Sequence, residues 1–125
     1  MQAVLLWSAA VTSLVTFAVH VLAGGVYVAR PLLADRTLPK ASKWLNYYCW
    51  HITSVVILFV GAAFAFSARH PDRLELAAFA AALTLTLAAL SALVALKGRI
   101  HPLRFPSTSL FALTACLGWG GLVSS

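Results

Sequence analysis

Residues 3–28 read AVLLWSAAVTSLVTFAVHVLAGGVYV, from Ala3 to Val28, without one charged side chain. A bilayer core of about 30 Å asks for roughly 20 apolar residues from a helix that rises about 1.5 Å per residue. This run is long enough to cross. It stops where Arg30-Pro31 sets a charge beside a helix breaker.

The same reading applies further along the chain, giving spans at about 3–28, 44–68, 72–96 and 106–123. Every Lys, Arg, Asp and Glu falls in one of three clusters, Arg30 to Lys43, Arg69 to Glu75 and Lys97 to Arg104. With 62% hydrophobic and 10% charged residues, the chain lacks the polar side chains to cover a water-facing surface, since soluble domains carry about a quarter charged residues. The sequence therefore predicts an all-α membrane protein, a single four-helix transmembrane domain over residues 1–125. No internal repeat or long linker divides it.

The net charge of +6 does not point to nucleic acid, because the cations sit at helix ends. Loop 29–43 holds Arg30, Arg36, Lys40 and Lys43 against Asp35, and loop 97–105 holds Lys97, Arg99 and Arg104 against no acid. The middle loop balances Arg69 and Arg73 against Asp72 and Glu75. By the positive-inside rule loops 29–43 and 97–105 face the cytoplasm, and both termini lie on the non-cytoplasmic side. A bacterial inner membrane is the expected location. The amino end has no basic n-region and its apolar run is too long for a signal core, so the first span is expected to stay in the mature protein.

Chemistry has few places to reside. No acidic residue lies deep in any span, which excludes a carboxylate proton relay and a di-iron carboxylate site. His20 and His51 are the ionisable side chains, other than cysteine, that fall within the hydrocarbon region, and such residues mark functional sites by default. His20 precedes Arg30 by ten residues and His51 follows Lys43 by eight, so the two are expected within roughly 3 Å of one level. Paired neutral imidazoles on adjacent antiparallel helices can hold a haem b. Gly24, one turn from His20, would leave room for a porphyrin edge, Tyr27 shares that face, and Arg30 could pair a propionate.

Cys116 lies about ten residues into the fourth span, near the same level, so a copper or zinc site of His20, His51 and Cys116 is an alternative. A further alternative is a flat lipid-soluble molecule such as a quinone, with the aromatic group Trp44, Tyr47, Tyr48 and Trp50 as a wall. The remaining reading is a cofactor-free accessory or structural subunit, in which each histidine makes only a packing hydrogen bond.

Small residues supply the expected packing surfaces. Span 3 carries Ala80, Thr84, Ala88 and Ala92 at intervals of four, and span 4 carries Ala112, Cys116 and Gly120. Such ridges let helices approach closely, either within the chain or in a homo-oligomer or larger membrane complex. His101 with Lys97, Arg99 and Arg104 forms a basic patch suited to anionic membrane lipids. On spans 1 and 2 the polar stripes Ser13, Phe17, His20, Gly24, Tyr27 and Tyr47, His51, Ser54, Leu58, Gly61 are expected to look into the bundle.

Overall fold

The computed structural model describes residues 1–124, and every regular element among them is helical. Helix α1 is Gln2–Gly24; it passes through a π-turn, Gly25–Ala29, into a short α2, Arg30–Ala34. Then follow α3, Lys40–Arg69, α4, Glu75–Lys97, a 3-10 turn at Pro102–Arg104, and α5, Pro106–Val123. Four helical stretches, 2–34, 40–69, 75–97 and 106–123, are long and apolar enough to cross a membrane.

Three element ends differ from expectation: span 2 starts at Lys40 rather than near Trp44, and the other two ends differ beside a proline. Span 1 does not stop at Arg30-Pro31. Proline has no N–H to give and its ring collides with the carbonyl four residues back in an α-helix. The wider π-turn just before it, with the Arg30 N–H bonded to the Gly25 carbonyl, lets the chain continue helically past Pro31. Span 3, in turn, starts at Glu75 rather than at about residue 72, just past Pro71. His70 to Arg73 forms a turn, with the Arg73 N–H on the His70 carbonyl at 2.9 Å and Ser67 Oγ donating to the Arg73 carbonyl at 3.1 Å. Asp72 is thereby left outside the helix, 3.7 Å from Arg73 Nε in an exposed ion pair.

Helix α1 packs on both α3 and α5, and α4 packs chiefly on α5, while α3 and α4 meet less closely. The tight end of the bundle gathers Leu6, Ala9, Val60, Phe64, Ala77 and Ala81 into one core. Gly118 and Gly121 on α5 make that closeness possible. A Cβ on Gly118 would stand 2.6 Å from Phe64 Cζ, and one on Gly121 would stand 2.7 Å from Leu6 Cδ2. Arg69 closes the same end, its guanidinium 5.3 Å above the Trp7 ring. A smaller core of Ile57, Ala88 and Phe111 lies toward the other end.

The outward faces are apolar. Leu14, Leu22, Phe59, Phe79, Leu85 and Leu93 are all exposed, an inverted surface that water would disfavour. The span 3 ridge is covered by the chain itself, for Ala80, Thr84 and Ala88 are buried. The span 4 stripe is displaced from the expected one. Helix α5 buries Phe111, Thr114, Ala115, Gly118 and Gly121, while Cys116 is exposed.

Candidate functional site

At the end of the bundle away from the tight core, α1, α3 and α5 enclose a groove of about 310 Å³, within the usual size range of small-ligand sites. His20 and Gly24 line it from α1, Tyr27 from the π-turn, Trp50 from α3, and Phe105, Ser107 and Phe111 from the chain entering α5. Helix α4 contributes no wall, and the groove is open rather than sealed.

His20 is held by Trp50 in two ways. Its imidazole stacks on the indole, ring centroids 4.6 Å apart and planes 26° from parallel. Its Nε2 lies 3.1 Å from the Trp50 carbonyl oxygen. A carbonyl can only accept, so Nε2 carries the hydrogen, and in the neutral ring Nδ1 keeps a free lone pair. Among the described residues no donor reaches that Nδ1, and it is not sealed inside the protein. The site therefore presents one unshared acceptor at the wall of an apolar groove.

Tyr47 continues the aromatic array, lying parallel to Trp50 at 6.2 Å, and Trp44 meets Tyr47 edge-on at 6.0 Å. His51 packs edge-on against Tyr47 at 4.5 Å and Trp50 at 5.2 Å, but it is exposed and does not line the groove. The buried stripe of α3 runs through Ser54, Ile57 and Phe64, and four residues before Ser54 stands Trp50. His51 is one residue further, about 100° around the helix. Of the residues expected to face inward on span 2, Ser54 is buried and Gly61 lies against Ser13 of α1, while His51 and Leu58 are exposed, and Trp50, not His51, meets His20.

The other candidate residues lie apart. Arg30 is exposed and outside the groove lining. Cys116 is exposed on α5, and among the described residues no three His, Cys, Asp or Glu side chains come together, so Cys116 does not join the histidines. His70 uses Nδ1 on the Phe66 carbonyl at 2.9 Å, and His101 Nδ1 accepts from the Leu103 N–H at 3.3 Å. Both serve their own turns.

One polar cluster escaped the sequence analysis. Ser91 Oγ of α4 lies 2.7 Å from Ser107 Oγ and 2.8 Å from Thr108 Oγ1 of α5, and Ser107 lines the groove. The signal was present as a serine in the middle of an otherwise apolar run, but its partners lie on another helix. The hydroxyls of Thr16 and Thr53, also in the groove lining, are spent on their own helices, on the Thr12 and Cys49 carbonyls.

No family model, curated protein or solved structure matches this chain.

The likeness of other proteins thus supplies no chemistry, and the site speaks through its own groups. Two further grooves, about 440 Å³ between α3 and α4 and about 270 Å³ between α1 and α3, are lined by apolar side chains such as Phe59, Phe79 and Leu14. They match acyl chains better than a ligand that needs orienting. The groove at His20 combines aromatic walls with the unshared Nδ1 of His20.

Proposed function

We propose that this is an integral protein of a bacterial inner membrane that binds a flat, lipid-soluble ring compound in the groove beside His20. Loops 29–43 and 97–105 face the cytoplasm in this reading, because they hold the unbalanced cations. The observation that carries the proposal is His20 itself. Its Nε2–H is committed to the Trp50 carbonyl, its ring is stacked on the indole, and its remaining nitrogen is left for a ligand. Aromatic and apolar walls with a few placed polar groups are the usual composition of a small-molecule site.

Haem b is the second reading, favoured by the way both His20 and His51 pack against the one indole of Trp50. It asks more of the protein. His51 would have to turn from its exposed position, and His20 would have to offer Nδ1 or give up its bond to Trp50.

One purification tests both readings. The protein is isolated in detergent from cells supplied with haem and iron, its visible spectrum is recorded, and extracted lipids are identified by mass spectrometry. A lipid-soluble ring compound retained by wild type and lost in Gly24→Leu supports the groove. The Gly24 position has room for a Cβ, 3.7 Å from Trp50 Nε1, but a longer side chain enters the groove. A strong Soret band lost in both His20→Gln and His51→Gln supports haem instead. Neither result leaves the accessory-subunit reading.

A further inference from the structure

Segments 69–75 and 97–105 both join two spans through a proline-containing turn, and they place their side chains in opposite ways. In the first, Asp72 pairs with Arg73, Arg69 lies over the Trp7 ring, and Leu74 packs on the core. The second has no acid, and the side chains of Lys97, Arg99 and Arg104 have no partner among the described residues. Ile100 and Leu103, interleaved with those cations, are 44% and 73% exposed.

This exposure does not come from a loose backbone. The Arg99 N–H bonds the Leu96 carbonyl at 3.0 Å and the Ile100 N–H bonds the Ala95 carbonyl at 2.9 Å, the paired bonds of a Schellman cap on α4. A 3-10 turn follows, with the Arg104 N–H on the His101 carbonyl at 2.8 Å and His101 Nδ1 accepting from the Leu103 N–H at 3.3 Å. The cap needs a left-handed residue at position 99, which glycine supplies without strain. Arg99 stands there instead, at φ 55°. The chain thus tolerates a less favourable backbone in order to carry a guanidinium at this point.

Helix α5 indicates the depth of the segment. Its 18 residues rise about 27 Å, somewhat less than the roughly 30 Å of a hydrocarbon core. A short span draws its flanks toward the bilayer, and the flank before α5 is Leu103-Arg104-Phe105. Apolar side chains at that level exchange water for acyl chains, while Arg and Lys stems reach back to the phosphates.

We infer that segment 97–105 is an interfacial anchor, which inserts Ile100 and Leu103 beside the acyl chains and binds anionic phospholipid headgroups through Lys97, Arg99 and Arg104. Each such cation contributes about fivefold in affinity for an anionic leaflet. The anchor is independent of the ring-binding reading and holds for either orientation of the chain.

The test compares two lipids that differ only in their headgroups, dioleoyl phosphatidylglycerol and dioleoyl phosphatidylcholine, added in equal amounts and read by native mass spectrometry. Wild type is expected to retain the phosphatidylglycerol preferentially. Arg99→Gly and Arg104→Gln should each reduce that preference about fivefold. Arg73→Gln, at a charge already paired with Asp72, should leave it within about twofold. Arg99→Gly also relieves the left-handed strain, so its melting temperature should equal or exceed that of wild type, which separates loss of lipid from loss of fold. Insertion is read with a spin label on Leu103→Cys in a Cys49→Ala, Cys116→Ala background, in vesicles of the two lipids. The label should be relaxed more by oxygen than by a water-soluble nickel chelate, and the same label on Thr37→Cys should show the reverse. Equal retention of the two lipids by wild type, as when the cations serve an acidic protein partner, overturns the headgroup site. So does a preference that survives both Arg99→Gly and Arg104→Gln, or one that falls equally in Arg73→Gln. A label at position 103 as open to the nickel chelate as one at position 37 overturns the insertion.

Discussion

Trp50 joins two helices by separate parts of one residue, its carbonyl holding the His20 Nε2–H and its indole stacking under the His20 ring. The two parts can be separated experimentally, because the carbonyl survives any substitution. Trp50→Leu should keep the His20 tautomer but lose the stack, lowering stability by about 0.5–1.5 kcal/mol beyond the lost burial. Trp50→Phe should recover most of that, as read by thermal unfolding in detergent. In ligand titrations under the ring-binding reading, His20→Gln is expected to weaken binding while His51→Gln leaves it within about twofold. Asp35 governs a local feature of the first loop. The Thr37 hydroxyl at 2.7 Å, the Thr37 N–H at 2.6 Å and the Leu38 N–H at 3.1 Å hold its carboxyl below the usual carboxylate range. A depressed carboxylate stabilises the turn above its ordinary titration range, and the stabilisation is lost as pH falls through the depressed value. The protection factors of the Thr37 and Leu38 amides, exchange relative to an unstructured peptide at the same pH, should therefore hold at neutral pH and fall only in acid, with Asp35→Asn less protected already at neutral pH.

At the scale of elements, closeness of approach varies along the bundle. Helices α1, α3 and α5 converge where Gly118 and Gly121 face Phe64 and Leu6, and separate around the groove. Gly118→Ala places a methyl 2.6 Å from the ring of Phe64, a side chain with no exposed surface. Overpacking of this kind should cost about 1–3 kcal/mol. Gly24→Ala meets nothing closer than 3.7 Å and should be neutral or stabilising by up to about 1 kcal/mol, through the better helix propensity of alanine. Melting temperatures of the two variants in one detergent make the comparison, and equal shifts would contradict the taper. The π-turn Gly25–Ala29 belongs to the same end of the molecule. It keeps span 1 helical past Pro31, and Lys43 Nζ on the Leu33 and Asp35 carbonyls ties down the end of α2.

For the molecule as a whole, the charge distribution yields an orientation that labelling can check. In a Cys49→Ala, Cys116→Ala background, Thr37→Cys should resist an impermeant thiol reagent in intact cells. Ser125→Cys, at a position outside the described residues, should react. The opposite pattern would reverse the orientation. The span 3 ridge bears on assembly. Ala88 is 7% exposed within one copy and packs with Ile57 and Phe111, so Ala88→Leu should destabilise the monomer, and any self-association must use other faces.

Span count, helical class and the site of charge were legible in the sequence because each depends on local composition. A run of apolar residues must satisfy its backbone internally wherever it lies in a bilayer, and charged side chains must stay at its ends. The last span, Pro106–Val123, was placed to the residue, since Pro106 marks a helix start that no distant contact alters. His20 and Gly24 could be assigned to one face for the same reason, as spacing along a helix sets direction. What the sequence could not supply was the rotation of each helix against its neighbours. In α3 all faces are apolar enough to pack, so the choice between Trp50 and His51 as the inward residue depended on which face fits α1, where Ser13 lies close to Gly61 and donates to the Ile57 carbonyl at 2.8 Å. In α5 the close approach of Gly118 to Phe64 turned Cys116 outward. The meeting of Ser91 with Ser107 and Thr108 likewise required the tertiary structure, because hydroxyls on two helices share no pattern along the chain until packing places them within hydrogen-bond reach.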